Sequence, residues 1–315
     1  MTDILISTSS FNLDDNPGIE QLRAAGLSIA TNPFGRKLTE VEIGDLLTDS
    51  VVGLLAGVEP LTGQVIANAK GLAVISRLGV GLDNVDQAAA KESNIGVLST
   101  PDAPVDAVVE MTLGLMLATL RQIPAADRQV RDGGWPRLKG RLLKSKTVGI
   151  LGLGRIGSRV ASLCCAFGAH VIAHDPVAAD TDSAVKRVTL ADLLAQADIV
   201  SLHMPYNAAT RHVINDESLA AMKPGAILIN TARGSLVDEA ALLAALQSDR
   251  LAAAGLDVFE IEPYNGPLKD LPQVVLTPHL ASSAIESRRQ MEHEAAENLY
   301  AGLRKAGVIK NGERS

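Results

Sequence analysis

Thr147-Val-Gly-Ile-Leu-Gly152-Leu-Gly-Arg-Ile-Gly157 decides the fold. Its first five residues form an apolar run that reads as a strand, and the run breaks into three glycines spaced to open a helix. Each glycine has a physical task. Gly152 permits a tight turn, Gly154 lets the backbone approach a pyrophosphate, and Gly157 lets helix and strand pack closely. The N–H groups at the helix start, together with the helix dipole, favour phosphate charge. The next apolar run, His170-Val-Ile-Ala-His174, ends at Asp175, eighteen residues beyond Gly157. A carboxylate there accepts hydrogen bonds from an adenosine ribose and repels a 2′-phosphate. Pro176 follows, so no cation stands beside it to accept that phosphate. NAD is the expected cofactor, in preference to NADP. Taken alone, Asp175 could equally be a surface carboxylate at a strand end.

The rest of the chain agrees with a dinucleotide fold. Its 315 residues suit two domains. With 47% hydrophobic and 21% charged residues, disordered, collagenous and disulfide-scaffold classes are poor descriptions. The net charge of −7 argues against nucleic acid as a partner. Aromatics are 3%, and aliphatic cores of this kind suit parallel sheets covered by helices. The two cysteines, Cys164 and Cys165, are adjacent, badly placed for an ordinary disulfide, and point to a reducing compartment. The N-terminus carries no basic, then apolar, leader pattern, and no apolar stretch reaches the ~18 residues of a membrane span. These features together lead us to expect a cytoplasmic protein without membrane contact.

Strand and helix signals alternate over the first hundred residues: strands at 4–7, 27–30, 51–56, 73–76 and 97–98, helices at 17–25, 62–70 and 85–93. Thr39 starts a further helix, with Glu42 completing a capping box. Such alternation implies a parallel sheet with helices on its faces. Pro101 and Pro104 mark a domain crossing. Val105 to Arg121 reads as a long helix, apolar nearly all round from Val108 to Leu120, and so buried, with a subunit interface as one place for it. Residues 122–146 are polar, contain Gly133-Gly134-Trp135-Pro136, and read as an extended excursion. The lone Trp135 suits an interface or pocket rim as well as plain surface packing. From Thr147 a second series follows, with strands at 147–151, 170–174, 198–202, 226–230, 252–257 and 274–277 and helices between them, the clearest at 155–167, 190–196 and 237–248. A last helix spans about 283–305.

Three later segments put polar residues at the ends of apolar strands, where open α/β sheets bind ligands. Ala226-Ile-Leu-Ile-Asn230 leads to Thr231-Ala-Arg233-Gly234. Ala252-Ala-Ala-Gly-Leu-Asp257 leads to Val-Phe-Glu260-Ile-Glu262-Pro263, and Val274-Val-Leu-Thr277 leads to Pro278-His279. Oxidising a 2-hydroxy acid needs a cation for the carboxylate, a base for the hydroxyl proton and a hydride acceptor. Arg233 offers a planar bidentate fork. His279 can be the base, and a carboxylate beside it would favour the imidazolium. Glu262 is the chosen partner and Glu260 the alternative. Each residue alone has a bland reading: a surface ion pair for Arg233, a loop charge for Glu262, a hydrogen-bonded strand-end histidine for His279, as for His203 or His212. Three of them at three strand ends behind one dinucleotide motif favour catalysis. No metal is called for.

At this point the sequence resembles the D-isomer-specific 2-hydroxyacid dehydrogenase family, closest to phosphoglycerate dehydrogenase-like members without a regulatory domain. The matching segments are Gly152-Leu-Gly-Arg-Ile-Gly157, Asn230-Thr-Ala-Arg-Gly234, Leu256-Asp-Val-Phe-Glu-Ile-Glu-Pro263 and Thr277-Pro-His279. Val109-Glu-Met-Thr-Leu-Gly-Leu-Met116 resembles the family's inter-domain and dimer-forming helix. The resemblance implies two Rossmann-like domains with parallel sheets, the NAD-binding domain inserted into a flavodoxin-like substrate domain. Residues 1–99 and 283–315 would be the substrate domain and 100–282 the NAD domain, including the dimerisation helix and arm 102–146. It also implies a homodimer, and roles for single residues. Arg233 would anchor substrate, His279 act as acid/base and Glu262 as its partner. Gly152, Gly154, Arg155, Ile156, Gly157, Asp175, His203, Pro205, Thr210, Thr231, Ala232, Arg233, Asp257 and His279 would line the cofactor, with Asp257 near the nicotinamide carboxamide. The loop Arg77-Leu78-Gly79-Val80-Gly81 would form an anion nest for the substrate carboxylate. Arg77 itself either touches substrate or fixes the loop.

The implied activity is NAD-dependent hydride transfer to or from C2 of a small 2-hydroxy or 2-keto acid. Phosphoglycerate dehydrogenases usually carry an arginine at the end of the third strand, where this chain has Ala56, so 3-phosphoglycerate is a doubtful substrate. Val80 in place of a lysine speaks against phosphite, and Glu262 in place of a glutamine against formate. Alternatives within the resemblance are glyoxylate or hydroxypyruvate reduction and a non-enzymatic NAD-sensing, corepressor-like scaffold.

Overall fold

The computed structural model describes residues 2–135, 137–177 and 185–310, so Pro136 of the glycine-rich run lies outside the described residues. The chain starts with β1 (Ile4–Ile6), α1 (Pro17–Ala24), β2 (Ile29–Thr31), α2 (Glu40–Leu46) and β3 (Gly53–Ala56). It continues through α3 (Gly63–Asn68), β4 (Val74–Arg77), α4 (Gln87–Glu92) and β5 (Gly96–Ser99). Next come α5 (Val105–Arg121), α6 (Ile123–Arg131), β6 (Thr147–Leu151), α7 (Arg155–Ala166), β7 (His170–His174) and β8 (Lys186–Arg187). Then follow α8 (Leu190–Gln196), β9 (Ile199–Leu202), α9 (Asp216–Ala221), β10 (Ala226–Asn230) and α10 (Glu239–Gln247). The chain closes with β11 (Leu251–Leu256), β12 (Val274–Leu276) and α11 (Ile285–Lys305).

These elements form two compact units, one of Met1–Pro104 with Ser283–Ser315, the other of Val105–Ser282. The first unit is thus built from both ends of the chain. Its N-terminal boundary falls a few residues later than the 99/100 expected, after the second of the two prolines.

In the first unit the strands lie in the order β2-β1-β3-β4-β5, all parallel. Alternate strand residues point to opposite faces. Leu5, Leu54 and Ile75 pack with Ile43, Val65, Ile66 and Ala90 of the helices on one face. Ile4, Ile6, Leu55 and Val74 pack with Ile19 and Leu22 of α1 and with Met291, Ala295, Leu299 and Leu303 of α11 on the other. Full burial of each such side chain is worth about 1.5–3 kcal/mol. Gly18 lets α1 and α11 touch backbone to backbone, since a Cβ there would lie 2.5 Å from the Ala296 carbonyl carbon. The capping box at Thr39 and Glu42 forms, with Thr39 Oγ1 and the Glu42 carboxylate each accepting the other's N–H.

The second unit holds seven parallel strands in the order β12-β11-β10-β9-β6-β7-β8. The same alternation divides its core. Val148, Ile150, Ile227 and Ile229 face α5 and α7, while Leu151, Val200, Leu202 and Leu228 face α8, α9 and α10. Chain order reverses at β6, whose neighbours β7 and β9 lie on opposite sides. That is the switch point at which doubly wound sheets hold ligands.

One expectation is corrected here. The stretch 122–146 is not wholly extended, because Ile123–Arg131 is helical and Leu143–Ser145 forms a 3-10 turn. Pro124 starts α6 and an Asp127–Arg131 pair at 2.8 Å laces it, but none of its residues is buried, which is why apolar content gave no signal. α5 is not buried all round within the chain, since Glu110 and Gly114 are exposed and Met111, Leu113, Leu117 and Ala118 only half-buried. α9 is one of the helices expected between the later strands, and Asn215 caps it with a reciprocal bond to Ser218. Among the described residues no helix is long and apolar enough to cross a membrane.

Candidate active site

The glycine loop joins β6 to α7. Gly152 has φ +96°, and a Cβ there would lie 2.7 Å from the His203 carbonyl oxygen. Gly157 is tighter, with a Cβ only 1.9 Å from the Gly152 oxygen. Gly154 caps α7 without a side-chain hydrogen bond, and nothing lies within 4 Å of where its Cβ would stand. The first turn of a twelve-residue helix therefore opens onto bare backbone, which suits a pyrophosphate. Asp175, at the carboxyl end of β7, accepts the Leu153 N–H through Oδ2 at 2.7 Å and the Val177 N–H through Oδ1 at 2.9 Å. The acid thus stands against the glycine loop, where a dinucleotide's ribose would reach it. These residues fit NAD. His203 follows β9, its Nε2 2.8 Å from Ser201 Oγ, and burial pushes its imidazole down to about 3. Thr210 belongs to the adjoining turn, where its hydroxyl donates to Pro205 O at 2.9 Å.

The end of β10 carries Arg233. Asn230 stitches the turn: Oδ1 accepts the Ala232 N–H at 3.0 Å and Nδ2 donates to Arg233 O at 2.9 Å. Thr231 is buried, its hydroxyl 2.8 Å from that of Thr112 on α5. Because Thr112 donates to Val108 O at 2.7 Å, Thr231 is the donor between the two hydroxyls. Arg233 Nη1 donates to Ala232 O at 2.7 Å. Gly234 brings this turn against the next loop, since a Cβ there would be 1.9 Å from the Phe259 carbonyl carbon.

That next loop follows β11 and supplies the carboxylate. Glu262 Oε1 accepts the Phe259 N–H at 3.1 Å, and Oε2 lies 2.8 Å from His279 Nδ1. Glu260, the alternative partner, is engaged elsewhere, with His212 Nε2 at 2.6 Å. Its own N–H donates to Glu239, whose carboxyl is held above the usual range by burial. A carboxylate only accepts, so Nδ1 of His279 carries the proton and Nε2 is left as the working nitrogen.

His279 itself sits at φ +54°, a left-handed backbone uncommon outside glycine. Asp257 ties the turn around it. Its carboxylate, fully buried, takes the Thr277 hydroxyl at 2.5 Å, the Leu280 N–H at 2.8 Å and the Ala281 N–H at 2.8 Å. Its backbone oxygen takes the His279 N–H at 2.8 Å. Asp257 therefore grips both sides of the histidine, a task its position in the sequence did not disclose. Asn230 was likewise not singled out, although an asparagine at a strand end is a standard turn signal.

The loop Arg77–Gly81 belongs to the first unit. Arg77 Nη1 donates to Leu78 O at 2.6 Å and lies 1.5 Å from where a Gly79 Cβ would stand, so the guanidinium folds under its own loop. Gly79 N–H donates to Thr100 Oγ1 at 2.8 Å, and Val80 is exposed.

Residues 113–281 match the family profile described as D-isomer specific 2-hydroxyacid dehydrogenase, NAD binding domain. Hydroxypyruvate reductase of Thermotoga maritima is 41% identical over 272 residues, 84% of this chain and 89% of that protein. D-3-phosphoglycerate dehydrogenase of Mycobacterium tuberculosis is 43% identical over 256 residues, 79% of this chain, but the chain spans only 48% of that protein's length. Among solved structures, a glyoxylate reductase from Paecilomyes thermophila superposes with a TM-score of 0.87 at 32% identity, covering 96% of each chain. With the glycine loop, the Asp175 contact and the histidine–glutamate pair in place, the chain belongs to the D-isomer-specific 2-hydroxyacid dehydrogenase family and is an NAD-dependent oxidoreductase.

Proposed function

We propose that the chain interconverts a small D-2-hydroxy acid and its 2-keto acid, with reduction of hydroxypyruvate or glyoxylate as its principal activity. One observation carries the chemistry: His279 Nδ1 lies 2.8 Å from Glu262 Oε2, in the unit that bears the dinucleotide loop. The relative matched over nearly its whole length, a hydroxypyruvate reductase, supports the choice of acid.

The nicotinamide, when bound, supplies or takes the hydride. Arg233 holds the substrate carboxylate and polarises the carbonyl oxygen through its planar fork. In the reducing direction protonated His279 gives the Nε2 proton to that oxygen as it gains charge, and in oxidation neutral His279 takes it back. Glu262 fixes the ring through Nδ1 and compensates the imidazolium. Gly152, Gly154, Arg155, Ile156, Gly157 and Asp175 hold the dinucleotide, with Asp175 against the ribose. Thr231, Ala232 and Asp257 line its nicotinamide end, and His203, Pro205 and Thr210 border it. The first unit serves as the substrate-reading unit through Arg77, Leu78, Gly79 and Val80. A homodimer is part of this proposal.

The test is a panel of keto and hydroxy acids followed by NADH absorbance. Turnover of hydroxypyruvate or glyoxylate is the expected result, and NADH binding without turnover of any acid would overturn the reading.

A further inference from the structure

His212 lies in the turn after β9 and Glu260 in the loop after β11, and their side chains meet, with His212 Nε2 2.6 Å from Glu260 Oε1. A carboxylate only accepts, so Nε2 carries the hydrogen. His212 has φ +48°, again in the left-handed region. Its N–H donates to Ser235 O at 3.0 Å, and two residues on the Ile214 N–H donates to Leu236 O at 3.0 Å. The histidine is therefore anchored by its backbone to the segment that follows Arg233. By its ring it is anchored to the loop that carries Glu262.

Glu260 is held a second time. Its N–H donates at 2.8 Å to Oε1 of Glu239, the first residue of α10. The Glu239 and Glu260 carboxylates repel one another, and the bond from His212 offsets this. Gly234 presses on the same peptide, since a Cβ there would lie 1.9 Å from the Phe259 carbonyl carbon and 2.4 Å from the Glu260 nitrogen. At its other end Phe259 orients the carboxylate of the acid/base pair. Its N–H donates to Glu262 Oε1 at 3.1 Å, and its ring stacks on Tyr264 with centroids 4.3 Å apart. Glu262 Oε2 in turn lies 2.8 Å from His279 Nδ1. A short path thus runs from His212 through Glu260, Phe259 and Glu262 to His279, all within the second unit. The side chains of His212 and Glu260 are 28% and 31% exposed, a setting in which a pair adds little to overall stability. What the pair contributes is aim.

We infer that His212 and Glu260 are positioning residues for the acid/base pair: their hydrogen bond holds the Phe259 N–H where it directs Glu262 at His279 Nδ1. The inference rests on the proposed roles of His279 and Glu262. It adds two residues that act through that pair, from loops after two different strands.

Three variants test it. His212→Asn removes the ring's reach to Glu260, and asparagine tolerates a left-handed backbone. Glu260→Ala removes the acceptor, whereas Glu260→Gln keeps one. The first readout is nitrogen NMR of the histidine rings in the chain without cofactor, with His279 assigned from His279→Asn. In the neutral ring of the wild type and of Glu260→Gln, the His279 hydrogen is expected mainly on Nδ1. In His212→Asn and Glu260→Ala the nitrogen shifts are expected to move towards those of mixed tautomers. The second readout is turnover of hydroxypyruvate with NADH. His212→Asn is expected to lower kcat about five- to tenfold, with KM within about twofold. In a Glu262→Ala background it is expected to leave kcat unchanged, because no carboxylate remains to be directed. A mere brace for the fold would lower kcat by one factor in both backgrounds and leave the tautomer alone. Folded variants with wild-type His279 nitrogen shifts overturn the inference, as does an equal loss of kcat in the two backgrounds. Should Glu260→Ala not fold, His212→Asn serves for both readouts. Should the wild type reduce no acid, the proposed activity fails, and the nitrogen shifts alone decide the inference.

Discussion

His279 Nδ1 and Glu262 Oε2 stand 2.8 Å apart, and the two residues come from loops after different strands, β12 and β11. The pair leaves Nε2 as the only ring nitrogen able to exchange a proton with substrate. His279→Asn keeps a hydrogen-bonding side chain but no titrating nitrogen, so kcat should fall about 10²–10⁴-fold. Glu262→Gln retains the shape and loses the compensating charge, and a smaller fall, on the order of ten- to a hundredfold, is expected in kcat with KM little changed. Steady-state NADH absorbance with hydroxypyruvate measures both. A His279→Asn enzyme with near wild-type kcat would remove the histidine from its role.

Asp257 sets where that histidine stands. Asp257→Ala leaves the Leu280 and Ala281 N–H groups and the Thr277 hydroxyl without their acceptor. Unsatisfied donors of this kind cost about 1–3 kcal/mol each, and relaxation recovers part, so a loss of about 2–4 kcal/mol is expected on urea unfolding. Activity should fall with it, because the carboxylate ties Thr277, Leu280 and Ala281 on either side of His279 and the backbone bond from Asp257 O alone fixes the turn less tightly. Asp257→Asn keeps one accepting oxygen and should lie between. Equal stability of all three chains would show that the clamp carries no weight.

The glycines of the dinucleotide loop should separate by substitution. Gly157→Ala drives a Cβ to 1.9 Å from the Gly152 oxygen, so strand and helix must part, at a cost of about 1–3 kcal/mol or more. Gly154→Ala meets nothing within 4 Å and has an extended backbone, with φ −68° and ψ −167°. The melting temperature of Gly154→Ala should stay near the wild type while the Kd for NADH rises about tenfold, equivalent to ~1.4 kcal/mol. Thermal melts with NADH fluorescence titrations check this. A Gly154→Ala chain that binds NADH as the wild type does would move the pyrophosphate elsewhere.

How much of this was legible in the sequence follows from which forces leave a pattern. Strands buried on both faces read as unbroken apolar runs, so β6, β7 and β10 fall where Thr147–Leu151, His170–His174 and Ala226–Asn230 placed them. Arg233, Glu262 and His279 stand out in the sequence because each follows such a run, and the fold brings Glu262 and His279 within 2.8 Å of one another. Glu260 could not be told from Glu262 by spacing, since the choice depends on how the loop after β11 folds back. α6 was illegible because it buries nothing and its polar residues look like a loop. The burial of Glu59 left no trace either, for a glutamate in a turn is ordinarily solvated, and only the fold of residues 57–59 against Ser7 reveals it.

His203 gives the chain a pH dependence whose sign can be worked out. Its imidazole has an ordinary value of 6.5, and burial lowers it to about 3 in the fold. Below pH 6.5 the unfolded chain therefore gains a proton that the folded chain refuses until about pH 3. The unfolded state binds more protons throughout that window, so stability rises with pH and is lost as pH falls. The slope from this one group approaches about 1.4 kcal/mol per pH unit well inside the window. His203→Gln keeps a polar side chain beside Ser201 and removes the titration, whereas the carboxylates titrate alike in both chains and cancel in the difference. Urea unfolding at pH 7 and pH 5 is the measurement. The wild type should lose roughly 1–2 kcal/mol more than the variant between the two. Equal losses would mean that the His203 ring takes up its proton in the folded chain as readily as in the unfolded one.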